Sequence, residues 1–329
     1  MLRLRSGVCP ALTPGTYQKL ISAEVKTVVQ FLAQDLDQLS AKIHVPFRDL
    51  LSIKRFFLAQ HSSIPVNALQ LYQNILSSTC ILPTGCTGLD KILEGGLYTG
   101  EITELVGASS SGKTQICLST VKAISSDLEK NIVYFDTCGQ FDTTRIATMI
   151  SAAGLDGHAL RAALQRIRLV QVFDVFDLFT ELELLKNAIE GSDDVFYKSL
   201  KLVVFDSLGT LTAPVSLRGD SSSGGLLVHL MRVIKSLAVE FMLGALMTNN
   251  AAHSEHVWKA ANNPGQLLSH MSDTRLEVLH DQDFTQLKLH TLIATNDHQR
   301  TVKLIKSCRQ PTGLSVQICI KDSGLESKH

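Results

Sequence analysis

The sequence predicts an α/β protein. Its core is a mostly parallel sheet with helices on both faces, extended by antiparallel C-terminal strands and preceded by a small all-helical domain. Three observations predict this. Within residues 11–61, apolar side chains recur at spacings of three and four with no alternating stretch, which is the helical period. From Thr84 to Met247, short apolar runs alternate with helical stretches, as in parallel strands buried on both faces. Beyond Thr274 the helical stretches stop and alternating segments take over.

The elements follow in order. In the head, Leu20, Ile21 and Val25 are succeeded by Val28, Val29, Phe31 and Leu32, then Leu36 and Leu39, then Leu50, Leu51, Phe57 and Leu58. Thr13-Pro14 reads as a cap followed by a first-turn proline. The helical domain is assigned to 1–61. Residues 62–82, with Ser62, Ser63 and Pro65, read as a linker carrying a short helix around Leu69 to Leu76. The core is assigned to 83–329. It has strands over 101–106, 132–135, 167–172, 202–205 and 243–247, and helices over 113–125, 143–152, 176–190 and 225–240. Antiparallel strands are expected over 274–280, 286–293, 301–306 and 315–320. The run Ser221-Ser222-Ser223-Gly224-Gly225 is expected as a flexible loop.

Composition narrows the class. Apolar residues are 45% and charged residues 19% of 329, which suits a globular chain and not a disordered one. The apolar run 241–247 is far shorter than the roughly 18 residues that cross a bilayer. No basic region followed by an apolar stretch opens the sequence, so neither secretion nor a membrane anchor is expected. Seven cysteines are scattered without any CxxC, as expected of reduced thiols in the cytosol or nucleus. Net charge is zero, yet residues 1–61 hold eight basic and four acidic residues, leaving 23 and 27 for the rest. A basic head on an acidic body fits nucleic acid at the head, and it equally fits ordinary surface variation.

The most specific motif is Gly107-Ala108-Ser109-Ser110-Ser111-Gly112-Lys113-Thr114, a full match to G-x-x-x-x-G-K-[ST] between an apolar strand and a helix. Its glycines let backbone N–H groups turn toward phosphates at a helix N-terminus. Lys113 neutralises β/γ-phosphate charge, and the Thr114 hydroxyl is a hard oxygen ligand suited to Mg²⁺. The expected ligand is therefore ATP with Mg²⁺. A carboxylate at the end of a neighbouring strand completes such a site. Asp206, after the apolar run 202–205, is assigned that role, with Asp136 its one competitor.

The flanking motifs carry a family resemblance. Thr84-Gly85 with Leu89-Asp90, Gly95-Gly96 with Thr99-Gly100-Glu101-Ile102-Thr103-Glu104, and Gly112-Lys113-Thr114-Gln115 resemble the entry to the core of RecA-type recombinases. Tyr134-Phe135-Asp136-Thr137, Asp206-Ser207, Met247-Thr248-Asn249-Asn250, Thr274-Arg275-Leu276 and Pro311-Thr312-Gly313 continue it in order through nearly the whole chain. The helical head resembles that of the eukaryotic Rad-fifty-one branch. Cys9-Pro10, Pro65-Val66-Asn67 and 307–313 are most similar to its D-type paralogues.

The resemblance implies a RecA-like fold and a nuclear protein of homologous recombination and telomere maintenance. The expected partners are single-stranded and branched DNA, the B- and C-type paralogues and X-ray-repair-cross-complementing protein two, in a hetero-oligomer. It places the adenine-side arginine on Arg145 and the γ-phosphate sensor on Asn250. It also implies DNA-facing loops at about 212–224 and 251–266. Each loop holds one basic and one acidic residue, Arg218 with Asp220 and Lys259 with Glu255. Weak DNA binding by the lone subunit is therefore expected. Trp258 has two readings, a base-stacking residue or one buried in the core or a neighbouring subunit. His253 and His256 lack a third ligand.

Departures from the family pattern point away from vigorous catalysis. Cys138 occupies the position where active recombinases carry the water-positioning glutamate. A neutral thiol cannot do a carboxylate's work, which is typically worth about 10²–10⁴ in rate. Slow hydrolysis is expected, and Glu101 and Glu104, lying before the loop, are discounted as substitutes. Asn250 is one methylene shorter than the family's glutamine. In place of the family's aromatic-x-x-Ala linker strand stands Ile64-Pro65-Val66-Asn67-Ala68, without an aromatic. That favours defined heteromers over the alternative, a self-filamenting ATP-dependent recombinase.

Overall fold

The computed structural model describes residues 4–61, 65, 67–191, 193–216, 221–250, 270–280 and 298–328. The chain forms two compact units, Met1–Asn74 and Ile75–His329. In the first, helices α1 (Pro14–Ser22), α2 (Val28–Leu32), α3 (Leu36–Ile43) and α4 (Phe47–His61) enclose Leu12, Leu20, Phe31, Leu50, Ile53 and Phe57. Thr13 caps α1 ahead of Pro14, and Thr27 with Gln30 forms a capping box on α2. Helix α5 (Ala68–Ser78) spans the division between the units and buries none of its residues.

The second unit opens with a two-stranded ribbon, β1 (Ile81–Leu82) and β2 (Leu97–Tyr98), around helix α6 (Thr87–Ile92). Then come β3 (Ile102–Gly107), α7 (Lys113–Lys122), β4 (Asn131–Asp136), α8 (Thr143–Ala152), α9 (Gly157–Gln165), β5 (Ile167–Gln171), α10 (Val175–Gly191) and α11 (Val195–Lys198). These are followed by β6 (Leu200–Asp206), α12 (Leu208–Ser216), α13 (Ser221–Glu240) and β7 (Gly244–Asn250). The last elements are β8 (Thr274–His280), β9 (Gln299–Lys306), β10 (Ser315–Lys321) and β11 (Gly324–Ser327).

The main sheet runs β11-β10-β9-β8-β3-β7-β6-β4-β5. Alternate residues of its central strands feed two cores. Leu105, Tyr134, Val204 and Leu246 meet α7 and α8, while Val133, Phe135, Val203, Phe205 and Met247 meet α10 and α13. Both faces being covered is why these strands carry apolar residues at successive positions, as in residues 132–135 and 202–205. Phe135 and Phe205 stack across the second face with centroids 5.1 Å apart.

The expected RecA-like architecture is observed, with differences in detail. Strand β8, expected among the antiparallel strands, runs parallel to β3 and antiparallel to β9. Apolar alternation reports burial, and it is the same for either direction. Residues 221–225 form the first turn of α13 where a loop was expected. Serine and glycine are tolerated there because the first four N–H groups have no partner inside the helix. Helix α12 contains Pro214, and α9 and α11 are short, so none of the three stood out in the sequence. Helix α7 continues as a wider π-turn over Ala123–Asp127. The strand expected over 286–293, the loop 251–266 and Arg218 with Asp220 lie outside the described residues.

Candidate nucleotide-binding site

The phosphate-loop motif leaves the carboxyl end of β3, the strand between β7 and β8, and enters α7. Two glycines are demanded by the backbone. A Cβ on Gly107 would lie 2.4 Å from the Val278 carbonyl oxygen and 2.6 Å from Ser111 Oγ. Gly112 caps α7 with φ +103°, and a Cβ there would meet Ile320 Cδ1 at 2.9 Å. Ser110 also has a left-handed backbone, with φ 62°. Ser109 and Ser110 are exposed at the tip, while Ala108 and Gly112 are half-buried. This is a cradle that side chains would fill, and its geometry suits a polyphosphate.

Lys113 is buried at the first position of α7, and its Nζ donates to the carbonyl oxygens of Gly107 at 2.9 Å and Ala108 at 2.6 Å. Burial lowers its pKa, an effect that nearby Asp206 opposes. Thr114 follows in the same turn, half-buried. Arg300 of β9 buttresses the loop from behind, donating from Nε to the Ser111 carbonyl at 3.0 Å. The sequence held no signal for that role, since Arg300 is one of three basic residues in a C-terminal strand.

The two competing aspartates are separated by their partners. β4 and β6 pair in register, so Asp136 and Asp206 sit side by side at the strand ends. Asp136 is buried, and its carboxylate accepts backbone N–H groups from Cys138, Gln140 and Phe141 at 3.1, 3.2 and 3.0 Å. It is committed to shaping its own turn. Asp206 is half-buried and takes one donor on each oxygen. Thr248 Oγ1 lies 2.6 Å from Oδ1, and the Tyr134 hydroxyl lies 2.8 Å from Oδ2. A carboxylate oxygen has further lone pairs, so this arrangement leaves coordination capacity for a hard cation or its water shell. Burial holds the Tyr134 pKa well above its usual value, which keeps the phenol a donor. Burial likewise pushes the Cys117 thiol, one turn beyond Lys113, well up.

The remaining site candidates fall around this centre. Asn250, exposed, ends β7 directly beside Gly107 in the ladder. Arg145 on α8 donates from Nε to Gln115 Oε1 at 3.1 Å and is held by Asp322, whose carbonyl lies 3.2 Å and carboxylate 3.3 Å away, and by the Lys321 carbonyl. It therefore ties the start of α7 to the β10–β11 turn. Cys138 is exposed just beyond β4, its sulfur 3.6 Å from Thr137 Oγ1. Both glutamates that precede the loop are engaged elsewhere. Glu101 pairs with Arg309, and wholly buried Glu104 lies 3.2 Å from Arg275. Trp258, His253, His256, Lys259 and Glu255 lie outside the described residues.

Known proteins share both units. A family model described as Rad51 matches residues 76–290, and one described as RAD51D, N-terminal domain, matches 1–60. The DNA repair protein RAD51 homolog 4 of Mus musculus is 36% identical over 326 residues, covering 99% of this chain and 96% of that protein. Its Bos taurus counterpart is 36% identical over 311 residues, 94% of this chain and 92% of that one. Among solved structures, the RadB recombinase aligns with a TM-score of 0.58 at 23% identity, over 76% of this chain and all of that one, which speaks for the fold. With matches over the head and most of the core, the chain belongs to the Rad51 family, on the branch that its RAD51D-type N-terminal domain marks.

Proposed function

We propose that this chain is an ATP·Mg²⁺-binding, DNA-binding subunit of a recombinase-paralogue complex. It acts in the nucleus in homologous-recombination repair of double-strand breaks and assists recombinase loading on single-stranded DNA. The observation that carries this reading is the glycine-shaped cradle at 107–112, with Lys113 behind it and Asp206 close enough to perturb the lysine. Residues 107–114 hold the phosphates, and Thr114 and Asp206 hold Mg²⁺, which neutralises charge on the phosphates when bound. Arg145 lies on the base side, and Asn250 beside Gly107 senses the γ-phosphate. Residues 1–61 are the helical head, 62–82 the tether, and 83–329 the ATP-binding core.

Output by binding, with little turnover, follows from Cys138. With Asp136, Glu101 and Glu104 all engaged elsewhere, no carboxylate among the described neighbours takes over the missing glutamate's task. Partners belong to the same reading: single-stranded and branched DNA, the B- and C-type paralogues and X-ray-repair-cross-complementing protein two. The strand order supports an association by strand addition. β11 packs beside α6, with Thr87 and Ser327 hydroxyls 3.0 Å apart, whereas among the described residues β5 ends the sheet without a further strand, near exposed Leu169, Phe173 and Phe176. A linker strand from another paralogue fits that edge.

Anisotropy titrations with single-stranded DNA, for the lone chain and for the co-purified complex, test the reading. Weak, salt-sensitive binding by the chain that strengthens in the complex supports it. Salt-insensitive nanomolar binding by the lone chain contradicts it. Light scattering with ATP and single-stranded DNA separates it from the filament-forming alternative, which requires large assemblies of this chain alone.

A further inference from the structure

The phosphate loop has its back against the C-terminal strands. Arg300, the second residue of β9, is buried, and strand pairing sets it opposite His280 of β8 and Ile318 of β10. From there its side chain reaches the loop. Nε donates to the Ser111 carbonyl at 3.0 Å, and Nη2 donates more weakly to the Ser110 carbonyl at 3.5 Å. Nη1 donates to the Gln299 carbonyl at 2.7 Å, which holds the guanidinium to its own strand. A Cβ on Gly112 would lie 3.7 Å from Arg300 Cγ and 2.9 Å from Ile320 Cδ1. Side chains of β9 and β10 thus form one wall behind the loop.

The carbonyls of the loop are divided between two cations. Lys113 takes those of Gly107 and Ala108, and Arg300 takes those of Ser110 and Ser111. A trans peptide unit is planar, so its C=O and N–H point in opposite directions. Drawing the Ser111 carbonyl back toward Arg300 therefore aims the Gly112 N–H forward, on the cradle side. The Ser111 N–H does not serve there, since it bonds the Ala108 carbonyl at 3.2 Å. Gly112 caps α7, and the first N–H groups of a helix have no partner within it and are what a phosphate takes.

Packing alone does not call for an arginine at this place. An apolar side chain of similar length would fill the space beside Gly112 and Ile320 without taking a charge out of water. A lysine would bring the same charge on one nitrogen, whereas the guanidinium presents its N–H groups in a fixed planar fork that spans two successive carbonyls. Lys113 cannot hold the loop in shape once a polyphosphate arrives, because the phosphates compete with the Gly107 and Ala108 carbonyls for its Nζ. Arg300 meets no such competition, since the loop stands between it and the cradle.

We propose that Arg300 is a positioning residue of the nucleotide site: by holding the Ser110 and Ser111 carbonyls from behind, it aims the Gly112 N–H at the phosphates and sets how tightly a polyphosphate binds. Its effect travels through the loop backbone, so it bears equally on a nucleoside diphosphate and a triphosphate. The inference rests on the ATP-binding reading above.

The test measures Mg·ATP and Mg·ADP affinity of the full chain by calorimetry, for wild type, Arg300→Met and Arg300→Lys, with thermal unfolding of each protein free of nucleotide. Arg300→Met should bind ATP and ADP about tenfold or more weakly, the scale of a lost hydrogen bond to a charged group. The two factors should agree within about twofold, and nucleotide-free unfolding should stay within a few degrees of wild type. Arg300→Lys, which keeps the charge and one donor, should lie between the two proteins for both nucleotides. Unchanged affinity in Arg300→Met overturns the inference. A loss confined to ATP also overturns it, by putting Arg300 on the γ-phosphate, as does joint loss of affinity and thermal stability with no recovery in Arg300→Lys. If Arg300→Met fails to fold, Arg300→Lys decides: a loss of about threefold shared by ATP and ADP supports the inference, and wild-type affinity or a loss for one nucleotide alone overturns it. Wild-type protein that binds neither nucleotide overturns the functional reading with it.

Discussion

Tyr134 donates its hydroxyl proton to Asp206 Oδ2 at 2.8 Å, fixing from the β4 side a carboxylate that Thr248 holds from the β7 side. The strand-end aspartate is thus aimed by two neighbours before any cation arrives. Outer partners of this kind typically change metal affinity by about 10–100-fold. Tyr134→Phe should therefore weaken the Mg²⁺ dependence of nucleotide binding by about tenfold while binding of metal-free nucleotide changes little. A Mg²⁺ titration of a fluorescent ATP analogue measures both.

Cys138 stands, exposed, at the start of the turn that Asp136 organises. If the missing carboxylate limits turnover, Cys138→Glu should raise ATP hydrolysis at least tenfold with nucleotide affinity nearly unchanged. Phosphate release under saturating Mg·ATP is the measurement. No gain would place the limitation elsewhere, with the shortened Asn250 the next residue to change.

Asp136 accepts three backbone N–H groups, so it acts on the fold more than on the metal. Asp136→Ala removes three hydrogen bonds to a carboxylate in a turn whose residues 138–140 are exposed and can turn to water, at a cost of about 1–2 kcal/mol. Thermal unfolding should fall by several degrees, and a Mg²⁺ titration of the folded variant should stay close to wild type.

Gly112 combines a left-handed backbone with contact against Ile320. Gly112→Ala adds strain of about 1–2 kcal/mol at the entrance to α7. Because the loop N–H groups must point inward, ATP affinity should drop about tenfold or more, a loss calorimetry reads directly.

Much of this was legible in the sequence, for physical reasons. Strands buried on both faces carry apolar runs, so β4, β6 and β7 stood out, while β3 stood out by leading into the phosphate loop, whose glycines and lysine lie together in eight residues. Asp206 was visible as an acid ending such a run. What stayed hidden depends on pairing between distant segments. The direction of β8 is set by its neighbour β3, and the Arg300 buttress by how β9 lies behind the loop. Tyr134 and Glu104 read as ordinary strand residues until register puts them against Asp206 and Arg275. Helix α12 was masked by Pro214, and 221–225 by a composition that a helix start tolerates.

On the proposed function, this chain binds ATP·Mg²⁺ at the loop 107–114 and turns it over slowly. Calorimetric titration of Mg·ATP into the purified protein and its Lys113→Ala variant, with hydrolysis followed in the same preparations, tests it most directly. One saturable site per chain is expected, lost or weakened at least about a hundredfold in Lys113→Ala, with wild-type turnover far below that of an active recombinase. No binding, or equal binding by both proteins, would contradict it.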